Sequence, residues 1–231
     1  NPVAEIADQA HAAGAWVCVD GVSYAPHGIP NVGALGADIY MYSSYKTWGP
    51  HQGILVVRRP LLEQLPNQAH YFNGDTLYKR LVPAGPDHAQ VAACAGMVDY
   101  FEAVHAHHFA TGATGARLGE EVHALFTAYE RKLLQPLLDY LVQKNTLRLI
   151  GPASAEKRAP TVSVLTEEPA EAVSAKLSAS GIMAGGGNYY AVRLLEGLGI
   201  DPAHGVVRLS FSHYTAQAEI DQLIDALDRV L

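Results

Sequence analysis

The chain has 231 residues, 49% of them hydrophobic and 17% charged, with a formal net charge of −7. That composition suits a globular protein with one large or two small domains, and it supplies no basic field for nucleic acid. No apolar run approaches the roughly 18–20 residues needed to span a bilayer, and two cysteines, Cys18 and Cys94, are too few for a disulfide framework and suit a reducing cytoplasm.

Pro2 stands where a first helical turn tolerates proline, and Val3, Ile6, Ala7 and Ala10 mark one apolar face as far as Gly14. Ala15 to Gly21 has a buried-strand pattern, with Cys18 as a small core residue and Asp20 at the carboxyl tip. Residues 21–36 are rich in Gly, Pro and Asn and read as loop. Ile39 to Tyr42 is a second strand, ended by Ser43 and Ser44. Lys46 follows on a polar turn, Gly49-Pro50 stops any helix, and Ile54 to Val57 is a third strand.

Leu61 to Leu65 is a short helical turn. Residues 66–90 form a long loop of the kind that is functional or mobile. Val91, Cys94, Val98, Phe101 and Val104 give a helix over 89–109. His105-Ala106-His107-His108 lacks a metal-ligand set and reads as a solvated patch. After a turn at Gly112 to Gly115, a second stripe runs through Leu118, Val122, Phe126 and Leu133, and Pro136 is expected to interrupt it and start a new helix.

Beyond Asn145 strands and helices alternate. Strands are expected at Thr146–Ile150, Thr161–Leu165, Gly181–Ala184 and Val206–Phe211. Helices are expected at 170–180, 191–198 and 219–231, the last capped by Thr215 without a capping box. The pattern predicts an α/β region over 1–110 and a small α+β domain over 111–231.

Two charges stand out. Asp20 and Lys46 are separated by about one crossover between neighbouring parallel strands. In an open α/β sheet, ligand chemistry gathers beyond the carboxyl ends of the strands. A pyridine-type cofactor needs such a pair: the amine forms a Schiff base with its aldehyde, and the carboxylate keeps the ring nitrogen protonated. Arg208, on a strand in an apolar surround, is costly unless it meets a carboxylate.

The segments Val19-Asp20-Gly21, Pro26-His27-Gly28, Gly36-Ala37-Asp38 and Ser43-Ser44-Tyr45-Lys46-Thr47-Trp48-Gly49-Pro50 resemble the core of the class V aminotransferases. That pyridoxal 5'-phosphate group includes cysteine desulfurases, selenocysteine lyases and isopenicillin-N epimerase-like proteins. Val207-Arg208-Leu209-Ser210-Phe211-Ser212-His213-Tyr214-Thr215 resembles its C-terminal signature. The resemblance implies the C-terminal part of a large, mostly parallel-sheet domain followed by the small domain, with the N-terminal part of the large domain expected to be missing.

It also implies roles. Lys46 carries the cofactor, Asp20 serves the ring nitrogen, and Ser43 binds phosphate. Tyr45 replaces a phosphate-binding histidine, and Ser23 replaces a glutamine at the ring oxygen. Arg208 takes the carboxylate of a small amino-acid substrate. His27 is read as structural. A homodimer is implied, whose cross-subunit phosphate contact is weakened because Gly85-Pro86-Asp87-His88 lacks the group's threonine. The desulfurase nucleophile belongs to the loop Gly185–Ala191, which holds no cysteine, so desulfuration through that loop is unavailable. The alternative is a catalytically silent fragment or dimerisation unit with an incomplete cofactor site.

Overall fold

Helix α1 (Val3–Ala12) turns at Gly14, where φ is 76°, and leads into strand β1 (Cys18–Asp20). Glycine adopts that left-handed conformation without a Cβ penalty. The computed structural model describes residues 1–28, 30–110 and 112–231. They form two units, Asn1–Ala124 and Leu125–Leu231. The expected boundary at 110/111 involves Thr111, which lies outside the described residues, as does Ile29 within the expected loop.

In the first unit β1 pairs in parallel with β2 (Ile39–Ser43), with Asp20 opposite Met41. The crossover between them holds a single 3-10 turn, Ala25–His27, among its described residues. β3 (Gly53–Val57) returns antiparallel to β2, giving the order β1-β2-β3. Tyr40, Val17 and Ala37 are buried along this sheet, whereas Leu55 and Val56 are exposed. Cys18 is also exposed, contrary to the expected core role. Among the described residues its strand has a neighbour on one side only.

α2 (Arg59–Gln64) is followed by two 3-10 turns, Tyr71–Asn73 and Leu77–Lys79. The helix expected over 89–109 is two helices, α3 (His88–Ala93) and α4 (Ala95–His108). Asp87 caps α3 by accepting from the Ala89 and Gln90 N–H groups at 3.0 and 3.2 Å.

Pro136 does not interrupt its helix: α5 runs from Gly115 to Gln143 with Pro136 inside. A proline inside a helix costs about 3 kcal/mol. Leu133, Leu134, Leu137, Leu138 and Leu141 are each at most 1% exposed. Burying each leucine contributes about 1.5–3 kcal/mol, so the packed stripe outweighs the proline.

The second unit contains β4 (Leu147–Ile150), β5 (Thr161–Thr166), β6 (Gly185–Gly187) and β7 (Val206–Ser210), antiparallel in the order β4-β5-β7-β6. Helices α6 (Ala170–Ala179), α7 (Val192–Gly197) and α8 (Gln217–Val230) complete it. Val162, Val164 and Val207 from the strands join Val173, Leu177, Ile220 and Leu227 from the helices in one buried cluster.

Two local expectations shift. The strand expected at Gly181–Ala184 is formed instead by the glycines of β6. A Cβ on Gly186 would lie 2.2 Å from the Ala170 carbonyl oxygen, so only glycine allows the strand this close to the start of α6. The cap of α8 is Ala216 rather than Thr215, and its N–H donates to the Glu219 carboxylate at 2.7 Å.

Candidate active site

Asp20 is the last residue of β1, and Lys46 lies in the 3-10 turn Ser44–Thr47 that directly follows β2. Because β1 and β2 are parallel, both residues belong to the carboxyl end of the same strand pair. One Asp20 oxygen accepts the Val22 N–H at 2.9 Å. The other has no hydrogen bond among the described residues, and the side chain is exposed. Asp20 is therefore a turn-former with half its accepting capacity to spare.

The lysine turn is closed by its neighbours. The Ser44 hydroxyl, fully buried, lies 2.5 Å from the Pro50 carbonyl and 2.8 Å from that of Gln52. Buried Thr47 donates to the Ser44 carbonyl at 2.9 Å, and Trp48 turns the chain with φ 65°. These bonds fix the turn's backbone, so Lys46 projects from a rigid base. Its Nζ lies 5.9 Å from the centre of the Tyr45 ring and makes no ion pair among the described residues.

Tyr45 itself is about half exposed and stacks on His51 at 4.8 Å, with 3° between the rings. His51 had no place in the expected site; it follows a Gly-Pro breaker, and no periodicity ties it to Tyr45. Ser43 ends β2 opposite Gly53, and Ser23 lies exposed in the turn after Asp20-Gly21. His27 is buried, with its ring 6.4 Å from that of Tyr24.

Tyr40 stands behind Asp20. A Cβ on Gly21 would fall 2.1 Å from the Tyr40 hydroxyl, so the glycine makes room for the phenol. Burial first, then the charges of Tyr24, Tyr42 and Asp20, push the Tyr40 pKa up to about 12, and the phenol stays neutral. Sequence reading placed Tyr40 in a strand but gave no signal of this contact.

In the second unit Arg208 lies on β7, opposite Ser163 on one side and Gly185 on the other. It is exposed, not set in an apolar surround. Its guanidinium carbon is 4.1 Å from the centre of the Tyr189 ring, and it forms no salt bridge among the described residues.

The first unit also has an apolar cavity of about 600 Å³, lined by residues including Tyr42, Ile54, Cys94, Met97, Phe101 and Leu118. None of Asp20, Ser23, Ser43, Tyr45 or Lys46 lines it, so its size does not mark the charged site. Among the described residues no group of three or more His, Cys, Asp or Glu side chains is arranged to hold a metal ion, and no helix is long and apolar enough to cross a membrane.

A family described as aminotransferase class-V matches residues 1–223. Over its whole length the chain is 36% identical to an aminotransferase-like protein of Gibberella zeae and 32% identical to a cysteine desulfurase of Dickeya dadantii, covering 56% and 54% of those proteins. The crystal structure of an Escherichia coli cysteine desulfurase superposes with a TM-score of 0.74 at 23% identity, over 99% of this chain and 54% of that one. The apo cysteine desulfurase of Thermococcus onnurineus gives a TM-score of 0.77 at 22% identity, over 98% and 55%. The chain thus spans about half the length of the curated relatives it matches.

Proposed function

We propose, from the premise that this chain belongs to the class-V aminotransferases, that it carries the lysine, the ring-nitrogen carboxylate and the substrate arginine of a pyridoxal-phosphate enzyme acting on a small amino acid. The observation that supports this most is the placement of Asp20 and Lys46 at one end of a parallel strand pair. Asp20, Ser23, Ser43 and Lys46 all keep hydrogen-bonding capacity that the described residues do not use. An amine, a carboxylate and hydroxyls are the donor and acceptor set that a phosphorylated pyridine aldehyde requires.

Bound pyridoxal 5'-phosphate supplies an electron sink for negative charge developing at the substrate's α carbon. The chain's own residues do the rest. Lys46 would hold the cofactor at its aldehyde carbon through Nζ, the carbonyl oxygen leaving as water, and its amine would move a proton at the substrate's α carbon. Asp20 accepts a hydrogen bond from the ring nitrogen and keeps that nitrogen protonated. Ser43 and the Tyr45 phenol donate to the phosphate, and Ser23 donates toward the ring oxygen. Arg208 pairs with the substrate carboxylate. Residues 185–191 contain no cysteine, so the proposed chemistry needs no thiol there. The same reading carries a homodimer in a reducing, cytoplasmic setting, supported by the resemblance and by Cys18 and Cys94 being free thiols.

The test uses the full-length protein. It is incubated with pyridoxal 5'-phosphate, reduced with borohydride and digested, and the adduct is mapped by mass spectrometry. The expected adduct is on Lys46. An adduct on another lysine only, or no adduct, overturns the assignment.

A further inference from the structure

We infer that Tyr189 is a positioning residue that aims the Arg208 guanidinium at a substrate carboxylate; the inference rests on the reading of Arg208 given above. A guanidinium's bidentate fork can be taken up by a protein carboxylate. Arg208 has none among the described residues. What it has is an aromatic face: the Tyr189 ring centre lies 4.1 Å from the guanidinium carbon. Stacking holds a planar cation through its face and leaves its N–H edge free. An ion pair with a protein carboxylate would consume that edge. The arrangement therefore orients the arginine while keeping its bidentate fork available.

The ring is built into the fold. Arg208 faces Gly185 across the β6–β7 pair. A Cβ on Gly185 would lie 2.4 Å from the Tyr189 hydroxyl, so the missing side chain is the space the phenol occupies. Tyr189 also packs against the cluster of Leu195, Ile200 and Val206. Burial raises the phenol's pKa and the Arg208 charge offsets part of that rise, so the ring beside the guanidinium is neutral near pH 7.

The backbone confirms the cost of this placement. Tyr189 and Tyr190 both have positive φ, 52° and 61°. A non-glycine residue in that region is uncommon and costs free energy, and two in succession need a compensating fit. Tyr190 does not supply it, because its side chain is fully exposed. Tyr189 does, with its ring between the small cluster and Arg208. The backbone approaches that of Ala170 closely at Gly186, and the Gly205 backbone approaches that of Gly187, so β6 is closely packed on both counts.

The test compares L-alanine with L-alaninamide, which differ only at the carboxyl group. Each is titrated into the full-length, cofactor-loaded protein, and Kd is read from the visible absorbance. In parallel, the Arg208 Nε–Hε signal of arginine-labelled, unloaded protein reports the ring directly, because a stacked aromatic shifts it upfield. Tyr189→Phe keeps the aromatic face and is expected to retain both the shifted signal and the preference for the acid. Tyr189→Leu is expected to lose the shift and about 2- to 30-fold of that preference, the range of a cation–π contact between exposed and desolvated sites. If Tyr189→Leu keeps the full preference while Arg208→Ala abolishes it, Tyr189 does not position the arginine and the carboxylate reading stands. If the unsubstituted protein shows no preference for the acid, or Arg208→Ala keeps it, the carboxylate reading itself falls.

Discussion

The imidazole Nε2 of His11 sits 2.8 Å from the buried carboxylate of Asp38. The same carboxylate accepts the Val17 N–H at 2.8 Å, and the Arg58 guanidinium is 3.7 Å away. Asp38 thereby ties the end of α1, the entry to β1 and the start of β2 to one buried oxygen pair. Sequence reading used Asp38 only as part of a family motif.

Asp38→Ala is expected to cost about 2–3 kcal/mol at pH 7, because it leaves the buried Val17 N–H and its charged neighbours without an acceptor. The pH dependence has a definite sign. Burial alone would raise the Asp38 pKa, but the His11 and Val17 hydrogen bonds and the charges of His11 and Arg58 overcome it and hold it below 3.8. A depressed carboxyl contributes stability that is fully present above its unfolded value and is lost as pH falls through the folded one. Urea denaturation should therefore show the gap between the parent and Asp38→Ala narrowing below about pH 4. A gap that keeps its full size through the acid range would contradict this account.

Asp20→Ala separates attachment of the cofactor from its use. Borohydride should still trap the cofactor on Lys46, since the amine and its rigid turn are unchanged. Turnover is expected to fall by about 10²- to 10⁴-fold, the usual scale for losing a group that controls a proton. Steady-state rates beside the trapping yield distinguish this from simple loss of binding. Unchanged turnover would remove Asp20 from the site.

Two glycines should respond in opposite directions. Gly186→Ala drives a Cβ to 2.2 Å from the Ala170 oxygen and 2.8 Å from the Glu171 nitrogen, both backbone atoms that cannot swing aside. A loss of about 2 kcal/mol or more is expected. Gly119, inside α5, has nothing within 4 Å of its Cβ position and no positive φ. Gly119→Ala should raise stability by about 0.5–1 kcal/mol. Thermal midpoints of the two variants measure both.

Helix α5 gives a second opposed pair. Leu138 is fully buried, and Leu138→Ala is expected to cost about 2–5 kcal/mol. Pro136→Ala restores a backbone donor inside the same helix and should raise stability by about 1–2 kcal/mol after the added freedom of the unfolded chain is allowed for. Chemical denaturation checks both, and a destabilised Pro136→Ala would mean that the proline shapes the helix rather than being tolerated by it.

Most elements were legible because their signals are local. Apolar spacing marked the helices containing Phe101, Phe126 and Ile220, and Gly49-Pro50 marked the break before β3. The misplacements share a cause in tertiary packing. Pro136 is a local stop signal overruled by five buried leucines. Gly185 to Gly187 look like loop but pair with β7 as a strand, and at Gly186 the start of α6 leaves no room for a side chain. Thr215 is a good cap by type, yet Glu219 reaches the Ala216 N–H and moves the cap by one residue.

The order of residue types along the chain was enough to determine the family, the α/β class and the one lysine and one acid that a parallel crossover brings to the same sheet end. The family shows in the resemblance of short motifs and the shared sheet end in spacing, and both are written in the sequence. What meets across the fold had to come from the structure: the Tyr40 phenol behind Gly21, the His51 ring on Tyr45, and an arginine resting on Tyr189 in place of a carboxylate. Each joins residues whose approach depends on how strands and turns pack. A missing Cβ or a stacked ring leaves no periodic trace from which it could have been read.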